Sequence, residues 1–213
     1  HAAAENYVPY DNLSLLVRMH ADGSCDREVI GSVAGCLKAD WQDGDWPTLT
    51  RMFRDPAPQM VSFTITAQGY ALRDMDGTLL PVVAQDLAAG PFRPRHTLSI
   101  AVSLLYQRFL AGGSPIAVVS MDNCAQNGKK LRDSCLTLAE GWQEGGFVPE
   151  DFLRWLSCEE SVSFPWSLLD KITPHPSQKV ADQLTALGVA GMAITKSAPG
   201  TVPAPLVPSA VTE

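Results

Sequence analysis

An apolar run that ends in polar residues is the feature that most constrains the fold of this chain. Residues 115–119 read Pro-Ile-Ala-Val-Val, and Ser120, Met121, Asp122 and Asn123 follow before a helical pattern begins. A continuous apolar run is typical of a parallel strand that is buried on both faces. In open α/β sheets, ligands bind just outside the carboxyl ends of such strands. The stretch therefore predicts a parallel strand, over residues 116–121, whose polar end contributes to a site.

The rest of the chain alternates between strand and helix patterns. Residues 12–19 and 26–33 predict an antiparallel hairpin, because the Asp-Gly between them tolerates the positive φ of a tight turn. Residues 60–66 are rich in β-branched side chains and predict another strand with a polar carboxyl end. Helical patterns cover residues 46–53, 98–110, 128–141, 150–156 and 178–187. This alternation predicts an α/β fold with a doubly wound, mostly parallel, Rossmann-like sheet.

Composition and charge narrow the classes of function. The 213 residues are 46% hydrophobic and carry a net charge of −7, with acidic and basic residues mixed along the chain. Because no basic stripe is present, we expect no nucleic-acid partner. No apolar stretch approaches the ~20 residues of a membrane span, so we expect no membrane partner. The five cysteines lack C-x-x-C spacing, which favours reduced cysteines in a cytoplasmic protein over disulfides or a zinc ribbon.

Asp122 and Asn123 are the first candidate site residues. An Asn amide at a strand end donates hydrogen bonds and can stabilise a developing alkoxide, as in an oxyanion hole. The alternative is that both residues cap the next helix and form a turn, and the dipeptide alone favours this alternative. Asn127-Gly128 is interpreted as turn chemistry, because both residue types tolerate the left-handed region.

Asp170 is the second candidate. It follows Leu168-Leu169, and a carboxylate in an apolar sequence is costly to bury unless it is paired. Asp170 would orient a polar group or accept a substrate hydroxyl, whereas the alternative is an ion pair with Lys171 or a helix cap. His96 precedes a helix and is predicted to cap it rather than bind a ligand. No clustered metal-ligand spacing and no phosphate-binding glycine loop is present, so no metal is predicted.

Three separated motifs resemble the long-chain mannitol dehydrogenase family, which includes mannitol 2-dehydrogenases and the fructuronate (mannonate) and tagaturonate reductases. The first is V-S-M-D-N at 119–123 with Asn127-Gly128. The second joins V-S-F-P at 162–165 to D-K-I-T-P at 170–174, and the third is Ser62–Thr66 followed by Gly69-Tyr70. The resemblance runs from about residue 12 to residue 205. Residues 11–13 and 38–41 are more similar to the uronate-reductase branch.

The resemblance implies an enzyme that transfers hydride between NAD and a polyol or sugar acid without a metal. D-mannonate/D-fructuronate and D-mannitol/D-fructose are the implied substrate pairs. Asn123 and Asp170 would be catalytic, with Asn123 polarising the reacting oxygen, and Asp170 and Lys171 would contact the substrate. The residues implied to lie at the cofactor are Thr66, Ser120, Asp122 and Asn123.

The chain also departs from the family pattern. The glycine-rich first strand and turn and the helical catalytic domain with its Lys base are not found in these residues, and no initiator Met is present. We therefore expect residues 1–196 to be a Rossmann-like domain that is incomplete at both ends, and residues 197–213 to be a Pro-rich connection. Such a piece is expected to be inactive alone. Lys171 and Ala67 replace the family's usual Arg and Glu. A non-catalytic α/β module that binds a nucleotide or a partner stays open as the rival function.

Overall fold

A computed structural model of the chain describes residues 7–20, 22, 24–169, 178–190 and 192. Asp170, Lys171 and the predicted Pro-rich connection at 197–213 lie outside the described residues. The strands are β1 (Ser14–Met19), β2 (Cys25–Ile30), β3 (Met60–Phe63), β4 (Ile116–Ser120) and β5 (Val162–Ser163). The helices are α1 (Trp46–Arg54), the single turn α2 (Thr66–Gly69), α3 (Pro81–Ala89), α4 (Thr97–Leu110), α5 (Asn127–Glu144), α6 (Glu150–Ser157) and α7 (Gln178–Ala186). A short 3-10 turn at Val8–Tyr10 precedes β1.

The chain divides into two units, and the smaller one comprises His1–Leu37 and Lys171–Glu213. Its strands β1 and β2 pair antiparallel, from Ser14 opposite Ile30 to Met19 opposite Cys25. This pairing confirms the predicted hairpin, although β2 ends at Ile30 and not at residue 33. A small core of this unit contains four buried residues, Val17, Ala181, Leu184 and Met192.

The larger unit, Lys38–Asp170, contains a parallel sheet in the order β3-β4-β5. Phe63 lies opposite Ser120, and Ile116 lies opposite Val162, so the three strands point the same way with β4 at the centre. Helices α2, α3 and α4 connect β3 to β4, and α5 and α6 connect β4 to β5. This arrangement confirms the predicted α/β fold with a mostly parallel sheet.

The core of the larger unit lies between the sheet and helices α4, α5 and α6. Its fully buried members include Val102 and Leu105 of α4, Leu131 and Trp142 of α5, and Phe152 of α6. Cys135 of α5 lies among them, and burial raises the pKa of its thiol to about 12, which makes it chemically inert. The five cysteines are all free.

Two elements differ from the sequence predictions. The strand predicted to reach Thr66 ends at Phe63, because the backbone of Ile65 and Thr66 donates hydrogen bonds to the carboxylate of Asp122 and not to a neighbouring strand. Helix α3 was not predicted, because Pro-Val-Val-Ala-Gln-Asp-Leu-Ala-Ala has no clear polar face and begins with proline. Proline is accepted there because the first helical turn needs no N–H donor.

One buried arginine donates hydrogen bonds to two loops at the amino edge of the sheet. Arg108 of α4 is only 1% exposed, and its guanidinium faces backbone carbonyls. Burial lowers the pKa of Arg108, and the charge of Asp55 partly opposes this shift. The carbonyls that accept its N–H groups belong to Phe53, Asp55, Pro56, Pro58, Ser114 and Pro115, at 2.7–3.3 Å. The guanidinium of Arg108 therefore links the loop before β3 to the loop before β4.

His96 caps α4, as its sequence position predicts. Its Nδ1 accepts a hydrogen bond from the backbone N–H of Leu98 at 3.3 Å, and the backbone N–H of His96 donates to the carboxylate of the buried Asp86 at 2.8 Å. The ring accepts through Nδ1 only when it is neutral. Burial lowers the pKa of His96, and the charge of Asp86 opposes that shift in part.

We expect the protein to lose stability as the pH falls through the range below about 6.5, the unfolded pKa of histidine. In that range His96 is protonated in the unfolded chain but neutral in the folded chain. The free energy of unfolding therefore decreases as the pH falls, and the decrease stops once the pH is below the folded pKa. Losing this cap costs about 1 kcal/mol. Thermal unfolding between pH 7.5 and pH 5 measures the effect.

The matched variants are His96→Asn, which keeps a capping side chain without a titration, and His20→Asn, which changes an exposed histidine of the hairpin. The acid-dependent loss should shrink in His96→Asn and persist in His20→Asn. An unchanged loss in His96→Asn contradicts the prediction.

Candidate functional site

The carboxyl ends of the three parallel strands bring separate loops to one edge of the sheet. Residues 64–66 follow β3, residues 121–126 follow β4, and residues 164–167 follow β5. The backbone N–H of Met121 donates to the carbonyl of Phe63 at 2.7 Å, so the first two loops leave the sheet side by side. The polar motifs that the sequence singled out before residue 170 meet here.

Asp122 is the centre of the hydrogen-bond network at this edge. Its side chain accepts the backbone N–H of Ile65 at 2.9 Å, the backbone N–H of Thr66 at 3.0 Å and the hydroxyl of Tyr70 at 2.5 Å. The residue is 7% exposed, so these bonds form largely away from water. The sequence-based alternative that Asp122 caps the next helix is therefore wrong: α5 begins after Gln126, whose side chain makes no cap, and Asp122 instead holds the loop after β3.

Tyr70 and Ser120 extend the network into the core. The Tyr70 hydroxyl lies 2.6 Å from the Ser120 hydroxyl, and both side chains are buried. Burial raises the pKa of Tyr70 and its bond to Asp122 raises it further, whereas the bond to Ser120 lowers it. Tyr70 therefore stays protonated and donates to the carboxylate. Tyr70 stands in the Gly-Tyr segment of the third motif, but no pattern in the sequence predicts this buried role.

Thr66 adopts a conformation that is unusual for its residue type. Its φ is +63°, in the left-handed region, which β-branched residues occupy only at a cost of about 1–2 kcal/mol. The hydrogen bond from its N–H to Asp122 supplies part of the compensating energy. The turn after β3 is thus strained and is held in place from β4.

Thr66 and Asn123 are exposed, whereas Ser120 and Asp122 are buried. The four residues predicted to lie at the cofactor are thus brought together, with two of them facing solvent. Their roles toward a ligand stay predictions, as do those of Asp170 and Lys171. An exposed hydroxyl and an exposed amide at a sheet's carboxyl edge fit the binding of a polar ligand such as a dinucleotide.

Asn127 and Gly128 join the loop after β5 to the start of α5. The Asn127 amide donates to the carbonyl of Asp122 at 3.1 Å and to the carbonyl of Ser167 at 2.9 Å. The Ser167 hydroxyl in turn donates to the carbonyl of Ser120. A Cβ on Gly128 would lie 2.5 Å from the carbonyl oxygen of Pro165.

The sequence interpretation of Asn127-Gly128 as a left-handed turn was wrong. The left-handed residue is Gln126, with φ of +55°, and Gly128 serves close approach between two backbones. Ser167, which bonds both the β4 end and Asn127, had no signal in the sequence.

The titratable side chains in residues 60–70, 116–128 and 162–169 are Tyr70, Asp122 and Cys124. The hydroxyl of Tyr70 donates a hydrogen bond to the carboxylate of Asp122, and both side chains are buried. The exposed Thr66 and Asn123 are therefore the residues that this part of the edge presents to a polar ligand. Among the described residues, no group of three or more His, Cys, Asp or Glu is placed to hold a metal ion. Within the same described residues, no helix has the length and apolar character to cross a membrane.

Comparison with known proteins gives consistent matches. Residues 15–187 match the family described as the mannitol dehydrogenase Rossmann domain. A D-mannonate oxidoreductase of Thermotoga maritima is 42% identical over 201 residues, which are 94% of this chain and 37% of that protein. A mannitol 2-dehydrogenase of Cereibacter sphaeroides is 30% identical over 190 residues, which are 87% of this chain and 37% of that protein.

Solved structures agree with the sequence matches. Pseudomonas fluorescens mannitol 2-dehydrogenase, in a ternary complex with NAD and D-mannitol, superposes with a TM-score of 0.71 at 29% identity. The superposition covers 87% of this chain and 36% of that chain. A substrate-free D-sorbitol dehydrogenase gives a TM-score of 0.72, also at 29% identity, over 87% of this chain and 37% of that one. The chain therefore spans little more than a third of the length of each of these four relatives.

Proposed function

The chain belongs to the mannitol dehydrogenase family, and we propose from this that the protein carrying it transfers hydride between NAD and a polyol or sugar acid. D-mannonate/D-fructuronate is our first choice of substrate pair, because the T. maritima D-mannonate oxidoreductase is 42% identical whereas the C. sphaeroides mannitol 2-dehydrogenase is 30% identical. D-mannitol/D-fructose is the second choice.

The observation that carries the proposal is the exposure of Thr66 and Asn123 side by side with a buried Asp122, at the carboxyl edge of the parallel sheet. Bound NAD would supply the hydride acceptor. Thr66, Ser120, Asp122 and Asn123 would form the cofactor side of the site. The exposed Asn123 amide would donate to the substrate oxygen as negative charge develops on it.

Asp170 and Lys171 are proposed to complete the substrate side, with Asp170 in the hydrogen-bond network around the reacting hydroxyl. The base that takes the hydroxyl proton is proposed to lie in another part of the longer protein. We further propose that residues 1–196 form the Rossmann-like portion and that residues 197–213 connect it to the catalytic portion. A cytoplasmic location is proposed because free cysteines are usual in a reducing compartment.

The test is an assay of the full-length protein with NAD and either D-mannonate or D-mannitol. We expect NADH to form with at least one of them. Asn123→Ala should lower kcat by about 100-fold, as removal of an oxyanion donor does, with a smaller change in KM.

The matched control is Gln59→Ala, which removes an exposed amide just before β3, at the opposite edge of the same sheet. Its kcat should equal that of the unchanged protein. No NADH with either substrate contradicts the proposed reaction and favours the non-catalytic module. An Asn123→Ala enzyme with unchanged kcat contradicts the role of Asn123 alone.

A further inference from the structure

We infer that Asp122 and Tyr70 are positioning residues for the dinucleotide, because one buried carboxylate fixes the turn after β3 and the loop after β4 relative to each other. The inference rests on the proposed function. Neither Asp122 nor Tyr70 needs to touch the ligand in order to act, because both side chains are buried behind the exposed residues. The exposed residues Thr66 and Asn123 are the ones that their network places.

The carboxylate of Asp122 joins two segments that are far apart in sequence. Ile65 and Thr66 lie 57 and 56 residues before Asp122, and both donate their backbone N–H groups to it. Asn123 is the next residue after Asp122. The Asp122 carboxylate therefore links the position of the turn after β3 to that of Asn123.

The backbone of Asp122 is itself held at both ends. Its N–H faces the Ser120 hydroxyl at 3.4 Å, and its carbonyl accepts from the backbone N–H of Cys124 at 2.9 Å and from the Asn127 amide at 3.1 Å. The carboxylate is thus attached to a rigid strand end. It transmits the position of β4 to the turn after β3.

Tyr70 anchors the carboxylate from inside the core. Its hydroxyl shares the same Asp122 oxygen that accepts from Ile65. Its own carbonyl accepts from the hydroxyl of Ser134 on α5 at 2.8 Å. Phenylalanine would fill the same space without orienting the carboxylate, so the hydroxyl has a role beyond packing.

The strain at Thr66 shows what the network has to hold. A β-branched residue returns from the left-handed region unless its neighbours prevent it. With Asp122 loosened, the turn would relax and the Thr66 side chain would change direction. Glycine occupies the left-handed region without cost, so a glycine at this position would need the carboxylate far less.

The experiment measures NADH affinity by fluorescence titration in the full-length protein. Tyr70→Phe should stay folded and bind NADH about tenfold more weakly, as expected for loss of a hydrogen bond to a charged group. Asp122→Asn, as a second variant, should weaken binding at least as much. Tyr106→Phe, a buried tyrosine whose ring packs on Phe109 and Phe152, should bind NADH normally.

A double-mutant cycle with Thr66→Gly separates positioning from general stability. In the Thr66→Gly background, adding Tyr70→Phe should weaken NADH binding by only about twofold, because glycine has neither left-handed strain to release nor a side chain to redirect. A merely structural role would produce the same loss in both backgrounds.

Normal NADH affinity in folded Tyr70→Phe, or an equal loss in both backgrounds, overturns the inference and leaves the proposed function standing. No NADH binding by the unchanged protein overturns both. Should Asp122→Asn fail to fold, the Tyr70→Phe cycle decides the question alone.

Discussion

Replacement of Arg108 by methionine is expected to lower the free energy of unfolding by about 4 kcal/mol, a large share of the stability of a typical domain. The guanidinium donates to carbonyls of both the loop before β3 and the loop before β4. Methionine fills much of the volume but donates nothing, so the six backbone carbonyls around the buried guanidinium lose this donor. Urea unfolding followed by circular dichroism measures the difference.

Arg108→Lys provides a sharper version of the same test. An ammonium carries the charge but has three donors at one point, whereas the guanidinium reaches its acceptors from three separate nitrogens. The lysine variant should therefore recover only a small part of the lost stability. Arg54→Met is the control, because Arg54 is exposed and bonds the Gln107 side chain. Stability of Arg108→Met equal to that of Arg54→Met would contradict the prediction.

Replacement of Gly128 by alanine is expected to lower the free energy of unfolding by about 3 kcal/mol, because the added methyl group meets backbone and not a flexible side chain. The new Cβ would lie 2.5 Å from the carbonyl oxygen of Pro165 and 2.7 Å from that of Phe164. To relieve the clash, residues 164–166 must move away from α5. That movement stretches the bonds between Asn127 and Ser167.

Gly141→Ala is the matched control on the same helix. Its Cβ would lie 2.7 Å from the terminal methyl of Leu87, which can move, and alanine favours a helix more than glycine by up to about 1 kcal/mol. This variant should be neutral or slightly stabilising. Urea midpoints of the two variants measure the contrast, and equal midpoints would refute the close-approach role of Gly128.

The predictable elements of this fold are those whose own residues carry a clear apolar run or a helical period. The apolar run before Ser120 specified β4, and the i, i+3, i+4 spacing specified α4 and α5. Strand β5 has two residues, too few for any period to appear. Helix α3 lacks a polar face, so its apolar residues do not distinguish a helix from a strand.

The sequence predicted which edge of the sheet carries the candidate site, but it did not predict the hydrogen bonds within the site. The alternation of strands and helices predicted parallel strands, and the carboxyl ends of parallel strands bring Thr66, Asp122 and Asn123 to one edge. The partners of Asp122 could not be foreseen, because two of them are backbone N–H groups more than 50 residues away. The local pattern of Met60–Thr66 favours a longer strand, and this distant carboxylate overrides it.

The carboxylate of Asp122 fixes the backbone of the turn after β3 without using any side chain of that turn. Asp122 binds the N–H groups of residues 65 and 66, which every amino acid except proline possesses. The side chains of the turn can therefore change while Asp122, which follows the neighbouring strand β4, keeps the backbone of the turn in place. Selection, or a protein engineer, can vary what this edge recognises through residues 64–66 without first rebuilding the frame that presents them.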